Sequence, residues 1–290
     1  MPNPKILVTG ATGTTGGEVI SQLAAAGMSG RALVRDLSKV DTHAYPSIEF
    51  VAGDLGNPVS LASAMLGIDA LYLNIVPGPE GLTHIDNAIT AAKTAGVSTI
   101  VKLSGLKASS DSPSAIIRMH SEADDHVRKS GIGYTILRAN SFYQNILGQL
   151  EGIKANDSFY LPMGNAYQSL IDVVDIAAVA ILAMMTDAHH NQTYDLTGPE
   201  SLTFSDVAAS LSRASGKAVS YIPITRDQFE ETLRGYGTLT TAASSLGELF
   251  DVFASGIYAD VTDDLPNIIG HVPRSFDVFA ATLFSKVAKP

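Results

Sequence analysis

Three glycines in the segment Val8-Thr-Gly-Ala-Thr-Gly-Thr-Thr-Gly-Gly17 stand at Gly-x-x-Gly-x-x-Gly spacing, between a short apolar run and a helical pattern. In that setting each suits the holding of a pyrophosphate. Gly10 takes the tight turn out of a strand, Gly13 lets the backbone approach the phosphates, and Gly16 lets the helix pack close to the strand, so that N–H groups at the helix start face the anion. Thr12, Thr14 and Thr15 add hydroxyl donors. A glycine-rich turn without a ligand is the plain alternative, and the strand-to-helix context weighs against it.

The tip of the second strand, Val34-Arg35-Asp36, selects between dinucleotides. A carboxylate about twenty residues after the loop accepts hydrogen bonds from the ribose 2′-hydroxyl of NAD, whereas Arg35 forms a bidentate contact with a 2′-phosphate. Lys39, one turn later, adds a second cation, and the pair predicts NADP(H). The competing reading makes both cations ordinary surface charges, with Asp36 reaching the ribose. Asp54 in Gly53-Asp-Leu55 can reach the adenine amino group, and Leu55 can line its ring pocket. Asn74, Ile75 and Val76 after the fourth strand, and Ser104 after the fifth, lie at carboxyl ends, where open α/β sheets take ligands.

Among candidates for proton transfer, His120 comes first. Its pKa near neutrality suits donation, and the helix beginning near Pro113 runs beside the expected cleft. An i,i+4 pair with Asp124 is the alternative. Tyr143 offers a phenolic proton or a flat packing surface beside Phe142, which is better suited to the core. Asn140 can bind a carboxamide, Arg138 serves the fold, and Lys102, inside a buried strand pattern, is expected to snorkel to a sheet edge. Phe159, Tyr160, Met163, Phe253 and Tyr258 supply aromatic and apolar surface for a planar acceptor or, equally, for a core.

These residues need a scaffold that brings strand ends together. Apolar, β-branched runs at 5–9, 30–35, 48–52, 70–76, 99–104 and 134–138 alternate with helical patterns at 17–25 and 82–95. The alternation predicts an α/β fold, a Rossmann-type doubly wound parallel sheet with a smaller α/β C-terminal lobe. Residues 1–150 form the dinucleotide-binding domain and 151–290 mainly a substrate-binding lobe, with segments near 166–186 and 193–198 returning to the first. Beyond Ser141 the rhythm loosens into a helix, a turn-rich stretch with turns at 156–157 and 162–165, a strand leading to Ile171 and a helix at 174–185. A strand at 194–197, a helix capped by Thr203, and a strand at 219–224 follow. The paired His189 and His190 lack further ligands at metal-site spacing and read as a solvated helix end; no metal is expected.

A net charge of −10 and a pI near 5.0 work against a polyanionic partner, so nucleic acid is excluded as an expected ligand. The absence of cysteine excludes disulfides, thiolate nucleophiles and Cys-ligated metals. The longest apolar stretch, 176–185, is too short to span a bilayer, and no leader pattern opens the chain. The expectation is a cytoplasmic protein, monomer or homodimer, without membrane attachment.

With these motifs the chain resembles the NmrA-like atypical short-chain dehydrogenase/reductases, in the branch of type 2 NAD(P)H:quinone oxidoreductases, triphenylmethane reductases and NADPH azoreductases. The resemblance is carried by the glycine segment, Val34-Arg-Asp36, Gly53-Asp-Leu55, His120-Ser-Glu-Ala-Asp124, the stretches 130–138 and 140–145, Asp172-Val-Val-Asp-Ile-Ala177 and Tyr194-Asp-Leu-Thr-Gly198. It implies a substrate cleft between a Rossmann domain and a small lobe. The wider superfamily uses Tyr-x-x-x-Lys, but none of the ten tyrosines has lysine four positions on. A small aromatic electron acceptor (quinone, azo compound or triphenylmethyl cation) needs only a positioned hydride, with water supplying any proton. The alternative is a regulator that senses NADP(H) without turnover.

Overall fold

Strand β1 (Ile6–Val8) is buried at every position, as expected of a strand covered by helices on both faces. The computed structural model describes residues 4–287. Helix α1 (Thr14–Ala25) follows the glycine loop and starts three residues before the periodic pattern at 17–25, because its first turn is made of small residues that carry no apolar signal. Next come β2 (Gly30–Val34), β3 (Ile48–Ala52), α2 (Pro58–Ala64) and β4 (Ala70–Leu73). The last of these is shorter than the run at 70–76. Asn74 donates its N–H to Thr9 Oγ1 rather than to a neighbouring strand, and Pro77-Gly-Pro79 prevents continuation. Helix α3 (Gly81–Ala95) ends at Gly96 in the left-handed conformation (φ 76°), where glycine carries no Cβ penalty.

Then follow β5 (Thr99–Gly105), α4 (Ala115–Arg128), β6 (Gly133–Ala139), α5 (Leu150–Asn156) and β7 (Ser158–Leu161). After α6 (Val173–Met185) and β8 (Gln192–Leu196), α7 (Phe204–Ser215) begins in a reciprocal capping box between Thr203 and Asp206. Strand β9 (Ser220–Pro223) leads into α8 (Arg226–Gly235), α9 (Thr240–Ala254), α10 (Asp264–Ile269) and α11 (Phe276–Val287).

Seven strands make one sheet in the order β3-β2-β1-β4-β5-β6-β8. Pairings β1–β2, β1–β4, β2–β3 and β4–β5 are all parallel. From β1 the chain builds outward through β2 and β3, then crosses to β4 on the other side. The carboxyl ends of β1 and β4 therefore flank the topological switch point, the crevice where doubly wound sheets hold nucleotides.

Two compact units are present. One holds the described residues up to Ser110, Met119–Arg138 and Val173–Asp195; the other holds Asp111–Arg118, Ala139–Asp172 and the described residues from Leu196 onward. In the second, β7 and β9 pair in parallel, with Phe159 opposite Tyr221. The strand at 158–161 lies between the turns expected at 156–157 and 162–165, and the strand leading to Ile171 reduces to two isolated bridges, Gln168 with Leu202 and Ile171 with Phe142. Phe159, Met163 and Tyr258 are buried, Phe253 packs against the aromatic core, and only Tyr160 of the five aromatic and apolar candidates is exposed.

Two expectations about charged side chains are corrected. Lys102 does not snorkel: it is fully buried on β5, and its Nζ lies 2.8 Å from Asp124 Oδ1. Arg138 Nε donates to the other carboxylate oxygen at 2.9 Å and Arg128 lies 4.0 Å from it, so Asp124 is held by three cations, and His120 is not paired with it. Burial alone would raise the Asp124 carboxyl, but Lys102 and Arg138 outweigh it and keep it below the usual carboxylate range. Replacing Asp124 with Ala leaves Lys102, Arg138 and Arg128 around a buried void. The expected loss is about 3–5 kcal/mol, read as a lower denaturant midpoint. His189 and His190 are half-buried rather than solvated. His189 Nδ1 meets the Tyr194 hydroxyl at 2.9 Å, and His190 Nε2 meets Thr99 Oγ1 at 2.8 Å.

Candidate dinucleotide site

Gly10 leaves β1 with φ 61°, a conformation that strains any other residue, and Gly13 N–H donates back to its carbonyl at 2.9 Å. Gly16 packs against this turn. A Cβ there would overlap the Gly10 carbonyl, 2.7 Å from its carbon and 2.9 Å from Thr9 O. The start of α1 carries no side-chain cap and no acidic residue in its first turn. Its first N–H groups therefore point out of the helix without intrahelical partners, at the positive end of the helix dipole.

Asn74 braces the loop from the neighbouring strand. Its Nδ2 donates to Thr15 Oγ1 at 2.8 Å, and its N–H donates to Thr9 Oγ1 at 2.9 Å. Thr15 is buried, so its hydroxyl stabilises the loop; Thr12 and Thr14 are exposed.

In front of the loop opens a cavity of about 830 Å³, within the range of small-molecule sites. Its walls are the loop (Gly10, Thr12, Gly13), the β2 tip with Arg35, residues 53–56 after β3, residues 74–81 after β4, and His84 of α3. Asp54, Leu55, Asn74, Ile75 and Val76 thus share one cavity with the glycines. Thr14, Thr15, Gly16, Lys39, Ser104 and Asn140 do not line it. The stretch Pro77-Gly-Pro-Glu-Gly81 had a readable signal, a Pro/Gly-rich break after a strand end. His84 had none, being one polar residue in a helical pattern.

Charge at the β2 tip is divided cleanly. Arg35 is exposed on the cavity wall, and none of the described residues pairs with it. Asp36 turns away, accepting from Ser38 Oγ at 2.7 Å and Ser38 N at 3.0 Å. Those two bonds hold its carboxyl below the usual value. Lys39, 80% exposed, lies 3.7 Å from Asp36. At the other end of the cavity Asp54 Oδ1 accepts from Gly56 N at 2.7 Å, and Asn87 Nδ2 fixes the Leu55 carbonyl at 2.9 Å. His84 closes this end. Its Nε2 lies 3.2 Å from where a Cβ on Gly56 would be.

The remaining candidates lie elsewhere. Ser104 is buried near the end of β5. His120 has Nδ1 buried with no hydrogen-bond partner among the described residues. Burial pulls its pKa down to about 3, Lys102 and Arg138 push the same way, and Asp124 opposes them. The expected pKa near neutrality is therefore corrected: the ring is neutral at ordinary pH. In the second unit, Tyr143 is 1% exposed, its hydroxyl donates to the Arg274 carbonyl at 3.1 Å, and Phe276 meets its ring edge-on. The Asn140 amide is held by Ser169 Oγ, the Tyr258 carbonyl and the Ser141 N–H. No group of three potential metal ligands occurs among the described residues, and none of their helices is long and apolar enough to cross a membrane.

A glycine turn at the switch point, an uncapped helix start and a cavity ending in an unpaired cation define a dinucleotide-binding Rossmann fold, whose residues fit a phosphorylated dinucleotide. Residues 10–187 match the NAD(P)H-binding family, and the chain belongs to it. The NAD(P)H azoreductase of Xenophilus azovorans is 38% identical over 275 residues, covering 95% of this chain and 96% of that protein. The Escherichia coli NADPH-dependent quinone oxidoreductase QOR2, solved with NADPH, superposes with a TM-score of 0.85 at 29% identity over 96% of this chain and 99% of that one. The Citrobacter sp. triphenylmethane reductase, solved with NADP(H), has a TM-score of 0.82 at 26% identity, over 97% and 100%.

Proposed function

We propose that this chain is an NADPH-dependent reductase that passes hydride to a quinone-like or other conjugated aromatic acceptor. The observation that carries the cofactor half is Arg35, unpaired on the cavity wall while its acidic neighbour is bonded to its own turn. The acceptor half is supported by the chain-long likeness to an azoreductase, a quinone oxidoreductase and a triphenylmethane reductase.

The bound dinucleotide supplies the hydride. Gly10 and Gly13 with the first N–H groups of α1 hold the pyrophosphate, and Arg35 grips the 2′-phosphate. The free oxygen of Asp54, Leu55 and His84 form the adenine end. Asn74 keeps the loop open through Thr9 and Thr15. No tyrosine–lysine acid pair accompanies this machinery, which suits acceptors electrophilic enough to take hydride without prior protonation.

Steady-state oxidation of NADPH and NADH against quinones, azo dyes and triphenylmethane dyes tests the reading. Turnover of at least one class with NADPH preferred is expected. Purified protein that oxidises neither dinucleotide with any of them would sink it.

A further inference from the structure

The Asp54 end of the cavity carries an acceptor and a donor side by side. Asp54 Oδ1 accepts from Gly56 N at 2.7 Å, and the Asp54 N–H donates to Ser60 Oγ at 3.1 Å, so the residue is fixed through both side chain and backbone. Its Oδ2 has no partner among the described residues and is free to accept. His84, half-buried, lines the same cavity from α3. Its Nε2 and Asp54 Oδ1 each lie 3.2 Å from the place a Cβ on Gly56 would take, so the two side chains approach across one bare glycine. One turn further along α3, Asn87 Nδ2 donates to the Leu55 carbonyl at 2.9 Å and holds the helix, with its ring, beside this loop.

Which ring nitrogen carries hydrogen follows from the charge around it. Nε2 has the Glu80 carboxylate 3.8 Å away and Asp54 across Gly56. Two negative groups near one nitrogen favour a hydrogen there, whether the ring is neutral or charged. At 3.8 Å Glu80 is too far to accept a hydrogen bond, so the Nε2–H remains available to a ligand.

A free carboxylate oxygen beside an N–H donor is the complement of one edge of adenine, whose 6-amino group donates and whose adjacent ring nitrogen accepts. We propose that His84 is a specificity-determining residue that, with Asp54, reads the base of the cofactor as adenine: Asp54 Oδ2 accepts from the 6-amino group, and His84 Nε2–H donates to the neighbouring ring nitrogen. The proposal rests on the cofactor half of the reductase reading and on no property of the acceptor. A 6-oxo base in the same seat sets an oxygen against the Asp54 carboxylate and loses the pairing, which is how a site built around hydrogen bonds rejects an analogue.

The test measures dissociation constants by equilibrium titration for NADPH and for its 6-oxo analogue, with hypoxanthine in place of adenine, on wild type, H84A, H84Q and H84F. Wild type is expected to bind NADPH roughly tenfold or more tighter than the analogue. H84A should weaken NADPH about fivefold to tenfold while leaving the analogue nearly unchanged, so that the preference shrinks. Glutamine, whose amide N–H can take the place of Nε2–H, should restore most of it; phenylalanine, which keeps a flat ring without a donor, should not. An equal loss for both dinucleotides in H84A, no loss for either, or rescue by phenylalanine rather than glutamine overturns the proposal. Wild type that binds neither dinucleotide removes the cofactor reading and this role together. Wild type that binds the two alike removes the reading of the base alone.

Discussion

Arg35→Ala is expected to raise the KM for NADPH roughly tenfold to a hundredfold while leaving that for NADH nearly unchanged. A hydrogen bond to a charged group is worth about 1.5–3 kcal/mol, and each 1.4 kcal/mol is about tenfold. The asymmetry comes from the geometry of the β2 tip. In the proposed complex a 2′-phosphate meets the guanidinium, while the Asp36 carboxylate is bonded to Ser38. Because Arg35 is exposed, screening weakens the contact, and the discrimination should shrink as salt rises toward 1 M. Equal changes in both KM values would refute a 2′-phosphate role.

The second large effect belongs to Gly16. Its Cα packs so closely on the Gly10 carbonyl that one methyl group in Gly16→Ala must drive α1 away from the strand exit. Gly10 cannot absorb the shift, since its positive φ already fixes the turn. Helix N–H groups and loop then no longer converge on one anion. Affinity for NADPH and NADH should fall together, roughly a hundredfold or more, with about 1–3 kcal/mol of stability lost to overpacking. Gly17→Ala is the internal comparison. A Cβ there meets Ala11 O at 3.4 Å, an ordinary contact, so binding should stay close to wild type. Isothermal titration with both dinucleotides reads the difference, and similar losses for the two variants would contradict the packing argument.

The first unit was legible because its information is local. The buried strands are mostly runs of apolar residues, the crossovers from β1 to β2 and from β4 to β5 are periodic helices, and the glycine loop and Arg35 mark two strand ends; the connection from β2 to β3 carries only two short 3₁₀ turns. What escaped the sequence depends on partners far along the chain. Whether Lys102 reaches solvent or stays buried is decided by Asp124, 22 residues away, and by Arg138 beyond it. The same pair decides whether His120 finds a carboxylate, and its burial decides whether it carries charge. β7 escaped for a related reason: Ser158–Leu161 is four residues between turns, and it becomes a strand only by pairing with β9, which follows two helices and a strand later. His84 is the opposite case, a residue in a correctly expected helix whose importance lies only in the wall it faces.

The turn from Asp36 to Lys39 acts as a latch. Ser38 does not line the cavity, yet by holding the Asp36 carboxylate it keeps a negative charge from competing with Arg35. On the proposed reading, preference between two cofactors that differ by one phosphate is exercised partly by a hydroxyl outside the cavity. Evolution or engineering could move that preference by loosening one serine, with every residue on the cavity wall left as it stands.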